Sequence, residues 1–94
     1  MGVRFSWNAR KAASNLKEHG ISFEEASTVF DDPLACIFDD DTHSFDERRE
    51  IVIGRSITDD LLLVCVTEWS EDVLHIISAR FPTRRERKKY EENS

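Results

Sequence analysis

The chain predicts an α+β domain: one mainly antiparallel sheet, in the element order β-α-α-β-β-β-β-α, with helices packed on it. Three observations lead there. Arg48–Ile57, Leu61–Trp69 and Val73–Arg80 are apolar stretches of strand length, separated only by short polar turns at Asp59-Asp60 and Ser70-Glu71-Asp72. Turns that short join antiparallel neighbours, because a parallel pair needs a crossover of about a dozen residues or more. Ahead of the strands, Asn8 and Ser22 each stand at the head of a helix-like pattern. Behind them, Thr83-x-x-Glu86 has the form of a capping box.

Each element has its own local signal. Val3-Arg4-Phe5-Ser6-Trp7 alternates apolar and polar, as a half-buried strand does, and turns Trp7 inward. Asn8 caps a helix to about His19, with Ala9, Ala12, Ala13 and Leu16 on one face. Gly20 suits the left-handed position after a helix, with Ile21 packing back on Leu16 as in a Schellman ending. Ser22 and Glu25 form a second capping box; Phe23, Ala26 and Phe30 line that helix, and Asp31-Asp32-Pro33 ends it. Leu34 to Phe38 reads as a short strand, and Asp39 to Asp46 as a polar connection of hairpin type. Pro82 lacks a ladder donor and stops the last strand. A helix from Arg84 to about Glu92 follows.

With 94 residues there is chain for one domain, residues 1–94, and a small two-layer core. An apolar fraction of 39% with 34% charged residues argues against disorder. No apolar run approaches the roughly 18 residues of a membrane span. The N-terminus lacks a signal-peptide pattern, so Cys36 and Cys65 read as reduced, buried thiols of a cytoplasmic protein. The net charge of −6 argues against nonspecific nucleic-acid binding, yet the charge is unevenly spread. Six of the thirteen basic residues fall in 80–89, whereas 31–47 hold seven acids and no Lys or Arg. The basic end can steer a polyanion and the acidic end can dock a basic partner. Asp39, Asp40, Asp41, His43 and Asp46 fail the EF-hand spacing and read as a solvated acidic loop, so neither metal nor cofactor is expected. Trp7 and Trp69 could stack on bases, although Trp7 alternates inward.

Strand parity groups Arg49, Ile51, Ile53 and Arg55 on one face, Leu62, Val64, Val66 and Glu68 on another, and Leu74, Ile76, Ser78 and Arg80 on a third. Each set is apolar for most of its length and charged at an end. That suits a covered sheet with Arg49, Arg55, Glu68 and Arg80 on its rim, and places His75 away from Arg80. Arg80 ends its strand beside the first turn of a helix that carries Arg84, Arg85 and, further along, Lys88. Cations there oppose the helix dipole at about 0.3–1 kcal/mol each. Stability alone would not select them, whereas a phosphate would collect both guanidinium forks and free N–H groups. A solvated basic helix end is the plainer account of the same residues.

With these residues in hand, the chain resembles the BrnT family over nearly its whole length. The resemblance rests on an ordered set: Phe5-x-Trp7, Asn15-Leu16-Lys17-x-His19-Gly20-Ile21-Ser22-Phe23, Glu25-Ala26, Val29-Phe30-x-Asp32-Pro33, Arg49, Ile53-Gly54, Thr67-Glu68, Ile76-Ile77-Ser78-Ala79-Arg80 and Thr83-x-x-Glu86-Arg87-x-x-Tyr90. Two departures stand out: His75 where the family usually has a basic residue, commonly Arg, and Phe81-Pro82 in place of a basic-plus-small pair. The resemblance implies a toxin of a type II toxin–antitoxin system with a RelE-like ribonuclease fold. It implies cleavage of RNA, free or ribosome-associated, that halts translation. The implied partner is a BrnA-like antitoxin with a DNA-binding ribbon-helix-helix part, in a complex such as a toxin–antitoxin heterotetramer.

RNA cleavage without a metal needs a base for the 2′-hydroxyl proton, cations to hold the phosphate as charge builds, and an acid for the leaving oxygen. Arginine suits the middle role because it stays charged. Arg49, Arg55, Arg80 and Arg84 are the first phosphate candidates, with Arg85 and Lys88 beside them; the resemblance favours Arg49 and Arg80 most. Surface pairing with the abundant acids would account for each of them singly. Glu68, His19 and His75 are the proton-transfer candidates, with Glu68 or His19 on the edge of the expected cleft and His75 set aside by its opposite strand parity to Arg80. His19 at a helix C-terminus also has a sufficient structural reason in the dipole. A second reading keeps the toxin fold without catalysis, as a binding module that acts with its antitoxin as a co-repressor. Arg80, Arg84 and Glu68 close together would favour the nuclease, and a scattered arrangement the module.

Overall fold

The structure, a computed structural model, describes residues 3–39 and 49–93. Its strands are β1 (Arg4–Ser6), β2 (Cys36–Asp39), β3 (Arg49–Arg55), β4 (Leu61–Ser70) and β5 (Val73–Arg80). Its helices are α1 (Ala9–His19), α2 (Phe23–Ser27), which tightens into a 3-10 turn at Thr28–Asp31, and α3 (Arg84–Asn93). The strands form one mixed sheet in the order β1-β5-β4-β3-β2. The meander β2-β3-β4-β5 is antiparallel throughout. The exception is β1, which runs parallel to β5, with Ser6 opposite His75. The chain between those strands is long enough for the crossover that a parallel pair requires. The acidic connection Asp40, Asp41, His43 and Asp46 lies outside the described residues.

The sheet separates two cores. Ile21, Phe23, Ala26 and Val29 pack from α1, α2 and their connections onto Val52, Leu62, Val64, Val66, Ile76 and Ala79. Trp7 joins this side, edge-on to Phe23 at 6.0 Å between ring centroids. On the other face, Tyr90 of α3 packs on Cys36, Ile53, Leu61 and Leu63, and the Lys89 ammonium lies 5.0 Å from the centre of the Phe38 ring.

The face of α1 differs from the expected one. Leu16 is 52% exposed, and the buried residue is Asn15. Its side chain donates to the Ala79 carbonyl at 2.8 Å and accepts from the Ala79 amide at 3.1 Å. It also donates to the Ile21 carbonyl at 3.1 Å. β1 pairs with β5 only as far as His75, so the far end of that edge has no strand neighbour there. The Asn15 amide offers the same donor and acceptor as a peptide group and takes the neighbour's place. The helix end is simpler than a Schellman motif: Gly20, at φ +71°, donates once, to the Leu16 carbonyl. The Ser22 box is also incomplete, because Glu25 accepts from Ser56 and Thr58 instead of reaching back.

A register shift in β5 overturns part of the parity reading. Cys65 faces Ser78, but the next residue, Val66, faces Ile76, so Ile77 is an extra residue. Such a bulge reverses which face the following side chains occupy. Ile76 therefore joins Ala79 in the α1/α2 core, both fully buried, while Ser78 and Arg80 point to the α3 side. His75, opposite Thr67, lies on Arg80's side, contrary to expectation.

Asn15→Ala should lower stability by about 2–4 kcal/mol, because it leaves the buried Ala79 N–H and C=O without partners. Chemical denaturation checks this; a loss below about 1 kcal/mol would mean that water replaces the amide.

Candidate active site

Arg80 reaches the start of α3, as strand end and proline together require. There its guanidinium grips Glu86 end-on, Nη1 at 2.9 Å and Nη2 at 3.0 Å, and Nη1 also donates to the Phe81 carbonyl. Glu86 in turn accepts from the Thr83 amide, and Thr83 Oγ1 accepts from the Glu86 amide, so this capping box is complete. The Arg80 fork pulls the Glu86 carboxyl down to about 2 against the effect of burial, with the Thr83 amide adding to it. Three of the five N–H donors of Arg80 are thereby used. The Nε–H and one Nη2–H remain, and together they form a second fork, the geometry that matches two phosphate oxygens.

Pairing across the sheet places Arg49, Ile51, Ile53 and Arg55 on the same face as Arg80. Arg80 lies in the row of Leu63 and Ile53, between the two arginines of β3. From strand spacings, the Arg49 and Arg80 Cα atoms are about 16 Å apart, too far for contact but within the span of one nucleic-acid segment. Arg49 heads another row, Arg49–Thr67–His75–Ser6, which crosses the sheet from β3 to β1. Ser6 Oγ lies 3.0 Å from His75 Nδ1.

Arg55 belongs to a different cluster. Its guanidinium lies 5.9 Å from the Tyr90 ring centre and donates to the Asp59 carbonyl. Its amide donates to Asp32 Oδ2, which also accepts from the Tyr90 hydroxyl at 2.6 Å. Burial works to raise the Asp32 carboxyl, but the Tyr90 hydroxyl and the Arg55 and Leu34 amides outweigh it and hold it below its ordinary value. Burial and then Asp32 push the Tyr90 hydroxyl up. Gly54 makes this knot possible: a Cβ there would meet the Ala35 Cβ and the Val29 carbonyl at 3.1 Å. These groups border a hollow of 590 Å³ at the β3–β4 turn. Asp32, committed to three internal bonds, is not available to a partner, whereas Asp31 is exposed.

The remaining sequence candidates are dispersed. Glu68 faces Leu74, on the side of the sheet opposite to Arg80, so it does not edge a cleft at Arg80 as expected. His19 ends α1, exposed, with its ring 3.7 Å from Glu18 and no ion pair or hydrogen bond to Arg80 among the described residues. Arg84, Arg85 and Lys88 form one exposed side of α3, away from Glu86 and Tyr90. Strand parity set His75 aside from Arg80 and did not single out Ser6, yet the register puts His75 on Arg80's side with Ser6 beside it. The signal was present in the spacing of Ile76 and Ala79: two core-sized apolar positions three apart do not fit a flat strand.

A small α+β domain with a cationic sheet face is the class that these observations define. A family model described as "Ribonuclease toxin, BrnT, of type II toxin-antitoxin system" matches residues 7–86. The chain belongs to that family, and type II membership implies an antitoxin partner. The crystal structure of the Brucella abortus ribonuclease toxin BrnT is similar in fold, with a TM-score of 0.66 at 19% identity over 87% of this chain and 99% of that one. No curated protein matches.

The Arg80–Glu86 pair makes stability pH-dependent. Glu86, depressed from 4.5 to about 2, contributes stability that is complete above pH 4.5 and lost as pH falls through 2. Asp32 acts in the same direction. Discounted for solvent screening, the loss attributable to Glu86 should be about 1–2 kcal/mol. Denaturant melts from pH 6 to pH 2 should show a flatter acid limb for Glu86→Gln; parallel curves would contradict the pairing.

Proposed function

We propose that this toxin is a metal-independent endoribonuclease of RelE-like fold, residues 1–94 acting as one domain, which cleaves RNA in the cytoplasm and so inhibits translation. The observation that carries the reading is the placement of Arg49 and Arg80 on one sheet face, with the second fork of Arg80 uncommitted, in a chain of a ribonuclease-toxin family. Such forks hold the non-bridging oxygens of a phosphate and gain strength as negative charge builds on them. The exposed Arg84, Arg85 and Lys88 extend the positive potential from the site along α3 and would guide the polyanion to it. Arg55, tied into the Asp32–Tyr90 knot, serves α3 docking first and RNA only at its margin.

The antitoxin is proposed to be of the BrnA-like ribbon-helix-helix type and to form a heterotetramer with the toxin. One observation favours the second reading, a toxin-fold module acting as a co-repressor: Glu68 stands away from Arg80, whose charge is already paired with Glu86. Inducing the chain with and without its antitoxin, while following growth and RNA integrity, separates the two. The nuclease reading expects growth arrest with RNA fragments from the chain alone, and relief by the antitoxin. Arrest without fragments would favour the module.

Arg80→Lys is the sharper variant of the site. An ammonium can still pair with Glu86 but offers no second fork. Cleavage should fall by about 10²–10³ with a small change in the melting curve. Full activity in Arg80→Lys and Arg49→Ala alike would remove both residues from the site.

A further inference from the structure

Resting on the ribonuclease reading above, we propose that His75 is a catalytic residue that accepts the proton of the attacking 2′-hydroxyl at Nε2, and that Ser6 is the positioning residue that holds its ring. The bulge at Ile77 is what brings the imidazole to the α3 side, into the row Arg49–Thr67–His75–Ser6. Arg49 and His75 stand on either side of Thr67, with Cα atoms about 10 Å apart by two strand spacings. Their half-buried side chains flank the buried Thr67 and can therefore converge on one phosphodiester at the surface. His75, Arg49 and Ser6 are all half-buried, partly open to a substrate and partly fixed by packing.

The Ser6 contact supplies the orientation. Oγ lies 3.0 Å from Nδ1, which anchors one edge of the ring and directs Nε2 to the opposite edge. A hydroxyl both donates and accepts. Ser6 therefore serves the tautomer with its proton on Nε2, the tautomer with Nε2 bare, and the imidazolium. A carboxylate in that place would favour the charged form.

The competing bases are poorly placed. Glu68 is on the other face, His19 is at the end of α1, and Glu86, held down at about 2 by Arg80, is too weak a base. The charged groups on the side of His75, among the described residues, are Arg4 on β1 and Arg49 on β3; Arg80 with Glu86 lies further along β5 and α3. This surrounding is cationic, which suits a polyanionic substrate.

In the step itself, neutral Nε2 takes the 2′-hydroxyl proton as the 2′-oxygen bonds to phosphorus. The bond from phosphorus to the 5′-oxygen breaks, and its electron pair leaves on that oxygen, which takes a proton from water. The products are a 2′,3′-cyclic phosphate and a 5′-hydroxyl end, and the imidazolium returns its proton to solvent. Arg49 balances the charge on the non-bridging oxygens, and the second fork of Arg80 holds another phosphate of the same strand.

The test is single-turnover cleavage of a single-stranded RNA from pH 5 to 9 by the full chain made without antitoxin, with thermal melts alongside. Wild type should lose rate on the acid side, within the range where histidines titrate. His75→Gln should be slower by about 10²–10⁴ and lack that limb. Ser6→Ala should keep the limb and lose about tenfold, the scale of one hydrogen bond, and Ser6→Thr should restore the rate. Should His75→Gln fail to fold, the wild-type profile and the Ser6 pair still decide: a wild-type rate flat from pH 5 to 8 overturns the proposal. So does a folded His75→Gln that cleaves like wild type, which would leave the ribonuclease reading intact. A wild-type chain that cuts no RNA overturns that reading, and the role of His75 with it.

Discussion

The amide of Asn15 is the contact on which the arrangement depends. A sheet edge left open inside a domain has backbone donors and acceptors that must find partners. At Ala79 the partner is a helix side chain, and both of its polar atoms are used. The same amide bonds the Ile21 carbonyl and so closes the corner between α1 and α2. One residue thus fixes the end of β5 and the packing of both N-terminal helices. Arg80 follows Ala79 directly, so the precision of the cationic face begins with a buried amide on the opposite side of the sheet.

The α3 side is assembled by two ion or hydrogen-bond knots on a helix of good helix formers that is short, at 10 residues, for a helix standing alone. Arg84, Arg85, Arg87, Lys88 and Lys89 would repel one another and oppose the dipole at the N-terminal end. Arg80–Glu86 pins the first turn, and Tyr90–Asp32 pins a turn further on. Between them the exposed cations are held on a helix that would be weak on its own. Both knots join structure to charge: the guanidinium that anchors α3 keeps a second fork, and the carboxylate that orients it is itself part of the helix cap. A family whose work is on RNA has reason to keep such a helix, and stability has reason to tie it down.

Much of this was legible from local chemistry. The Thr83–Glu86 box, the Asn8 cap, the left-handed Gly20 and the short turns of the meander are all written within a few residues, where capping and turn rules apply. The apolar face of α1 was misread because Leu16 is the more hydrophobic residue, whereas Asn15 is buried for its hydrogen bonds. The parallel β1–β5 pair joins residues near opposite ends of the chain, and no local pattern encodes it. The reading of the site singled out Arg49 and Arg80, which share a face, although strand parity left their convergence to the register. It failed at His75 and Glu68, because parity presumes a flat strand and one extra residue at Ile77 exchanges the faces. Glu68 faces away from the cations with which it was grouped, and His75 joins them.

The central claim is that RNA is held on the α3-side sheet face bounded by Arg49, His75 and Arg80. The most direct measurement is an NMR titration of the chain with a single-stranded RNA whose 2′-hydroxyls are methylated, so that it binds without being cut. The signals to follow are arginine Nε–H groups and the methyls of Ile51, Thr67, Val29 and Ile57. The account predicts shifts at Arg49, Arg80, Ile51 and Thr67, with Val29 in the opposite core and Ile57 at the β3–β4 turn unchanged. Shifts centred on Ile57 and Arg55, with Arg49 and Arg80 silent, would contradict it and move the site to the hollow beside Tyr90.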